Sequence, residues 1–277
     1  MKIGCCTGSF NRFGAERYKK MAEIGFLYAD FGIRPIRPNE SESDYLACFK
    51  SERDLADSAG VEIHQVHAPF VYPPKDSERE ERELHLEELK KTMPVAKILG
   101  AKNWVVHPLL PFYGKDEDSN YEENWEINVE FFSNLLPVAK EHDITICLEN
   151  VPSSKYKKFL LPEETLRFIR EIDDEHFKLC LDTGHCAYYG CSPADVVRLA
   201  GKDLAVMHVH DTKSVGRDEH LFPSFGIINW KEFASALTEI NYNGVISLET
   251  GPSGCLSLEM SEHMLKTLNL LIHDLFN

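Results

Sequence analysis

Long apolar runs are missing from this 277-residue chain. None reaches the about eighteen uninterrupted apolar residues that a membrane-spanning helix needs. The start, MKIGCC, passes straight into the polar TGSFNRFG, so no signal-peptide apolar region is expected and a cytoplasmic protein is. Positive charge is also short. Thirty basic residues face 45 acidic ones, and the net charge of -15 disfavours long-range attraction to nucleic acid or to an anionic membrane, leaving room only for a local basic groove. Proline (14) and glycine (16) are sparse and 43% of residues are hydrophobic, which excludes a disordered, low-complexity chain. Eight cysteines are too few for a disulfide-built framework, and several lie in apolar runs such as ITICLEN and FKLCLDTG, so buried free thiols are expected. A nucleotide-binding glycine fingerprint is absent, because GSFNRFG fits neither of the required patterns.

What is present is an alternation of short apolar and longer amphipathic segments with no linker between them. Strands are expected near 2–7, 26–31, 61–70, 103–108, 145–150, 178–184, 204–211 and 244–250. Between them lie helix-like segments such as DYLACFKSERDLADSAG and NWEINVEFFSNLLPVAKEH, several ending at a glycine, and SPADV has the serine-proline start of a capped helix. Eight such units in this length fit an α/β fold, a closed (β/α)8 TIM barrel occupying residues 1–277 as a single domain, with an open doubly wound sheet as the alternative. DSEREERELHLEELKK reads as a solvated helix face, and Pro94 and Pro137 as kinks or helix boundaries. PFYGKDEDSNYEEN is a polar insertion long enough to lie over a barrel mouth.

The polar residues that interrupt the apolar strands recur at their carboxyl ends: His67, His107, Glu149, Asp182 and Glu249. Alternation puts Ile146 and Leu148 on one face with Cys147 and Glu149 on the other, and likewise opposes Ile246 and Leu248 to Ser247 and Glu249. In MHVHDTKSVGRDEH, His208 and His210 share a face with Val206, opposite Met207 and Val209. Either histidine alone reads as a hydrogen-bonded interior residue. Coincidence with three strand-end acids changes that, because uncompensated buried carboxylates are costly and a divalent cation takes both imidazole and carboxylate ligands. His185 follows Asp182 by three positions across an expected glycine turn, and Asp218 with His220 can face the same site if the backbone there is extended.

Through HAPF, VVHP, CLEN, LDTGH, MHVHD, RDEHLFPSFG and SLET, the chain resembles the xylose isomerase-like (β/α)8 superfamily over essentially its whole length. That superfamily includes sugar isomerases and epimerases, inosose and dehydroshikimate dehydratases, and the endonuclease IV type of abasic-site nuclease. In its sugar branch the resemblance implies one divalent ion, manganese or zinc, held by Glu149, Asp182, His208 and Glu249. Glu149 and Glu249 would be the acid and base of an enediolate reaction on a sugar, sugar phosphate or related polyol, and His185 would lie near the substrate oxygens. His67, His107 and His210 would line the pocket, with Lys155 and Arg217 available for a substrate phosphate.

The nuclease branch implies a different centre, three zinc ions on His67, His107, Glu149, Asp182, His185, His208, Asp218, His220 and Glu249, acting on abasic DNA. The segment DEHLFPSFGIINW is similar to a DxHxxPxxGxIxW pattern of the sugar branch, and the global acidity gives a duplex no surface, so sugar chemistry ranks first. A dehydratase and a non-catalytic sugar-binding protein are the remaining alternatives. The expected partner is a small sugar or polyol, with nucleic acid only in the alternative; no membrane is expected, and homo-oligomerisation is compatible with the sequence.

Overall fold

The alternating segments fold into eight parallel strands separated by helices in the computed structural model, which describes residues 1–115, 118–153 and 158–276. The strands are β1 (Lys2–Cys6), β2 (Tyr28–Gly32), β3 (Glu62–His67), β4 (Asn103–Val106), β5 (Thr145–Glu149), β6 (Phe177–Asp182), β7 (Leu204–His208) and β8 (Val245–Leu248). Most stop one to three residues before the expected carboxyl end. Pro69 and Pro108, which have no N–H to give to a ladder, follow the ends of β3 and β4 by two residues.

Strand order runs β7-β6-β5-β4-β3-β2-β1-β8. Val209 N donates to Ser247 O at 2.8 Å and Glu249 N donates to Val209 O at 3.1 Å, joining the two ends of that series. The sheet is therefore a closed (β/α)8 barrel, and the open doubly wound alternative is excluded.

Around it lie α1 (Arg17–Ile24), α2 (Glu42–Ala59), α3 (Arg79–Thr92), α4 (Pro94–Leu99), α5 (Tyr121–His142), α6 (Pro162–Ile172), α7 (Thr183–Tyr188), α8 (Pro193–Ala200), α9 (Trp230–Glu239) and α10 (Leu258–Phe276). Pro94 opens α4 and so separates it from α3, whereas Pro137 lies inside an uninterrupted α5. Ser192 caps α8 by accepting from Asp195 N, ahead of Pro193. The acidic half of the 111–124 insertion winds into a 3-10 turn, Asp118–Asn120, and the start of α5; residues 116–117 lie outside the described part.

Strand alternation sorts the side chains into two cores. Ile146, Leu148, Met207, Val209, Ile246 and Leu248 pack outward against the helices, while Val105, Cys147, Cys180 and Val206 fill the barrel interior. All eight cysteines are free. Among the described residues no helix is long and apolar enough to cross a membrane. Two register shifts interrupt the parallel ladders. β3 gains a residue against β2 between Ala29 and Asp30, and β7 gains one against β6 between Leu179 and Cys180. Such bulges re-aim side chains beyond them.

Candidate metal centre

Inward-facing polar residues beyond the apolar interior layer converge at the carboxyl mouth. Glu149, at the end of β5, is 2% exposed. Its Oε1 lies 3.1 Å from His208 Nδ1 and 3.4 Å from His185 Nδ1, and its Oε2 lies 3.4 Å from His67 Nε2 and 3.3 Å from His107 Nε2. Those last two contacts have ion-pair distances without hydrogen-bond geometry, so Oε2 is buried with no hydrogen-bond partner. Asp182, ending β6, accepts from His210 Nε2 at 3.0 Å. Asn150 holds Asp182 on both sides, accepting from its backbone N–H at 2.8 Å and donating to its carbonyl at 3.1 Å. Glu249 reaches within 3.4 Å of His208 Nδ1.

The expected glycine turn after Asp182 is instead the first turn of α7. Asp182 caps it, accepting from His185 N at 2.7 Å, and this places His185 over the site. Gly184 is required there because a Cβ would lie 2.0 Å from His210 Cε1. RDEH is no ordinary surface turn. His220 takes a positive φ of 47°, a conformation uncommon outside glycine, and with it both Asp218 and His220 face the mouth, 3.4 Å apart.

Ligand-type atoms gather into sets whose members lie within 4.8 Å of one another: His67, His107 and Glu149; Glu149, Asp182, His208 and Glu249; and His185, His210, Asp218 and His220. Cys180 joins Glu149 and His208 in a further set, one step deeper in the barrel. Carboxylate oxygens and imidazole nitrogens in such numbers, with a buried glutamate oxygen left without a hydrogen bond, fit a divalent cation.

Burial alone would raise the Glu149 carboxyl, but the charge and hydrogen bond of His208, with the imidazoles of His107 and His185 close by, outweigh it and hold it well below the usual carboxylate range. Asp182 is likewise resisted by burial and carried down to about 2 by His185 and His210. Glu249 goes the other way: burial, with Glu149 and Asp182 adding to it, raises its carboxyl against the pull of His208. Burial opposes charge on His208 and His185 too, yet Cys180, Glu249 and Glu149 around His208, and Asp182, Asp218 and Glu149 around His185, raise both well above the usual imidazole value. Protons on imidazoles thus balance the acids, and a bound cation takes over that balance by displacing them.

A cavity of about 410 Å³ opens onto this centre, with His67, His107, Glu149, His185, Asp218 and Glu249 on its wall. His210 is not on that wall. It is fully buried, stacked on His220 with ring centroids 3.8 Å apart, so it supports the ligand set instead of lining the pocket. Arg217 is also off the wall, exposed and paired with Glu219 at 3.3 Å. Lys155 lies outside the described residues. Three contributors escaped the sequence reading: Asp30, Gln65 and Cys180. Their signal was available, since Asp30 is an acid inside the apolar FLYADF run and Cys180 sits two residues before Asp182 on the same strand face.

A family model described as a xylose isomerase-like TIM barrel matches residues 18–268. An uncharacterized protein of Methanocaldococcus jannaschii is 35% identical over 201 residues, 71% of this chain and 67% of that protein. A D-psicose 3-epimerase of Enterocloster bolteae is 32% identical over 117 residues, 42% of this chain and 36% of the enzyme. Among solved structures, a D-tagatose 3-epimerase-like protein superposes with a TM-score of 0.75 at 28% identity, covering 99% of each chain.

Proposed function

The chain belongs to the xylose isomerase-like TIM-barrel family, and from that premise we propose that it is a divalent-metal-dependent isomerase or epimerase of a sugar, sugar phosphate or related polyol. The observation that carries this reading is the set Glu149, Asp182, His208 and Glu249 at the foot of the mouth cavity, in a chain similar over its full length to a D-tagatose 3-epimerase-like protein. These four residues would hold the ion. When bound, a divalent ion supplies polarisation of neighbouring carbonyl and hydroxyl oxygens of the substrate.

The chain's own groups do the rest. Glu249 faces the cavity and makes no side-chain hydrogen bond with the described residues, so we assign it the removal of a proton from the carbon beside the carbonyl. Glu149, an ionised carboxylate anchored by His208, is assigned the return of a proton that it relays from solvent. Delivery to the opposite face of the same carbon is epimerisation; delivery to the neighbouring carbonyl carbon, with the first carbon's hydroxyl proton passing to the old carbonyl oxygen so that hydroxyl and carbonyl exchange places, is isomerisation. His185, fixed by its hydrogen bond to Asn150 O at 2.8 Å, stands on the wall where a substrate hydroxyl would sit. Protein loaded with manganese or zinc should exchange solvent deuterium into a ketose or aldose from a broad panel. Glu249→Gln should lower kcat by about a hundredfold or more with a smaller change in KM. Full retention of rate in that variant refutes Glu249 as the base, and no exchange across the panel refutes the reading.

One observation favours a second reading. His67 with His107, and His185 with Asp218 and His220, form ligand sets on either side of the central one, sharing or adjoining its acids. A centre of up to three zinc ions acting on a phosphodiester at an abasic site would use them. Anomalous scattering at the zinc edge separates the two readings by counting ions, and incision of an abasic duplex by fully loaded protein would decide for the second.

A further inference from the structure

His208 is the one imidazole in the central set, and both of its nitrogens are engaged from opposite sides. Nδ1 points at the acids of that set, 3.1 Å from Glu149 Oε1 and 3.4 Å from Glu249 Oε2. Nε2 points away from them, toward Asp30 Oδ2 at 2.9 Å. Asp30 is 4% exposed in the middle of β2 and belongs to none of the ligand sets. The same Oδ2 accepts from Gln65 Nε2 at 3.0 Å, and Gln65 is fully buried.

The backbone explains this alignment. The register shift after Ala29 passes over His64, so Asp30 pairs with Gln65 and both side chains enter the barrel beside His208. A carboxylate can only accept, so the Nε2 it faces must carry a hydrogen; the lone pair of a metal-ready imidazole is then on Nδ1. Without Asp30, the ring would be free to place its hydrogen on Nδ1, where it would meet the ion's position.

We propose that Asp30, fixed by Gln65, is the positioning residue that presents His208 to the metal through Nδ1. This rests on the metal-dependent reading above and adds to it a residue outside the ligand sets. Carboxylate-histidine-metal relays of this kind change affinity by about 10- to 100-fold when the carboxylate is removed.

The test uses the full chain and zinc alone. In ¹⁵N-labelled wild-type protein loaded with zinc, long-range proton-nitrogen correlations should show His208 with hydrogen on Nε2 and metal on Nδ1; metal on Nε2 overturns the proposal, whether or not any variant folds. Competition with a chelating dye should show zinc held about 10- to 100-fold more weakly by Asp30→Asn. The zinc-free variant should unfold thermally within a few degrees of the zinc-free wild type, which a purely structural role for Asp30 would not allow. Gln65→Leu should weaken zinc in the same direction and less. Equal zinc affinity in wild type and Asp30→Asn overturns the proposal and leaves the metal-dependent reading standing, whereas a wild type that holds no zinc or manganese overturns both.

Discussion

His64 is the residue that the β2–β3 register shift passes over, and its Nε2 is buried without a hydrogen-bond partner. Desolvation dominates its titration: the imidazole is pushed down to about 4, with Asp30 pulling weakly upward. Its folded value lies below the unfolded one of about 6.5, so the unfolded chain takes up the proton first. The contribution to stability is therefore complete above about pH 6.5 and is lost as pH falls from there toward 4, by about 3 kcal/mol at most. Urea unfolding at pH 7.5 and 4.5 should show the wild type losing about 2 kcal/mol more than His64→Gln over that interval. Equal losses would mean that His64 is already charged in the fold. The residue also shows where sequence reading stops. Period-2 alternation put Glu149, His208 and Glu249 on the barrel-interior face without any coordinates, but a bulge adds a residue that no periodicity announces, so Asp30, although conspicuous as an acid in an apolar run, could be joined to Gln65 and His208 only through the register shift.

At the scale of elements, the segment between β7 and α9 is organised by Asp211. Its Oδ1 accepts from Thr212 N at 2.9 Å and Ile228 N at 3.2 Å, and its Oδ2 from Ser224 N and Gly226 N, both at 3.1 Å, and from Trp230 Nε1 at 2.8 Å. Gly226 is obligatory there, because a Cβ would lie 2.1 Å from Thr212 O. The glycine and tryptophan of DEHLFPSFGIINW are thus explained by loop folding around one carboxylate, which is why that pattern was legible as a family resemblance and said little about substrate. The same loop carries Asp218 and His220, so the ligand character of RDEH depends on a residue that belongs to no ligand set. Neither feature follows from spacing: one needs a positive φ at His220, the other a carboxylate reached from as far as nineteen positions away. Asp211→Ala would leave several buried donors unpaired at a cost of about 3 kcal/mol. Hydrogen exchange should rise about a hundredfold across 212–229 while β5 and β6 keep their protection. Uniform protection in wild type and variant would assign the loop's order to something other than Asp211.

For the whole molecule, the charge balance and the barrel mouth make opposite demands on the two functional readings. A chain of net charge -15 repels a duplex at long range, and the basic side chains of Arg34 and Arg217 are paired with Glu40 and Glu219. A neutral polyol is indifferent to that field, and its binding depends on the cavity wall of about 410 Å³ and the groups on it. Ionic strength therefore separates the readings wherever the sugar substrate is uncharged. For an uncharged sugar, kcat/KM of the metal-loaded protein should stay constant within about twofold between roughly 0.05 and 0.5 M salt, since no counterions are released on binding. A protein that engages several DNA phosphates loses orders of magnitude in affinity over a smaller interval. Filter binding of an abasic duplex at low salt should accordingly yield no saturable complex. A tight complex that dissolves steeply with salt would show that the mouth presents a local basic surface strong enough to overcome the global charge, and would transfer the flanking ligand sets from sugar binding to phosphodiester hydrolysis.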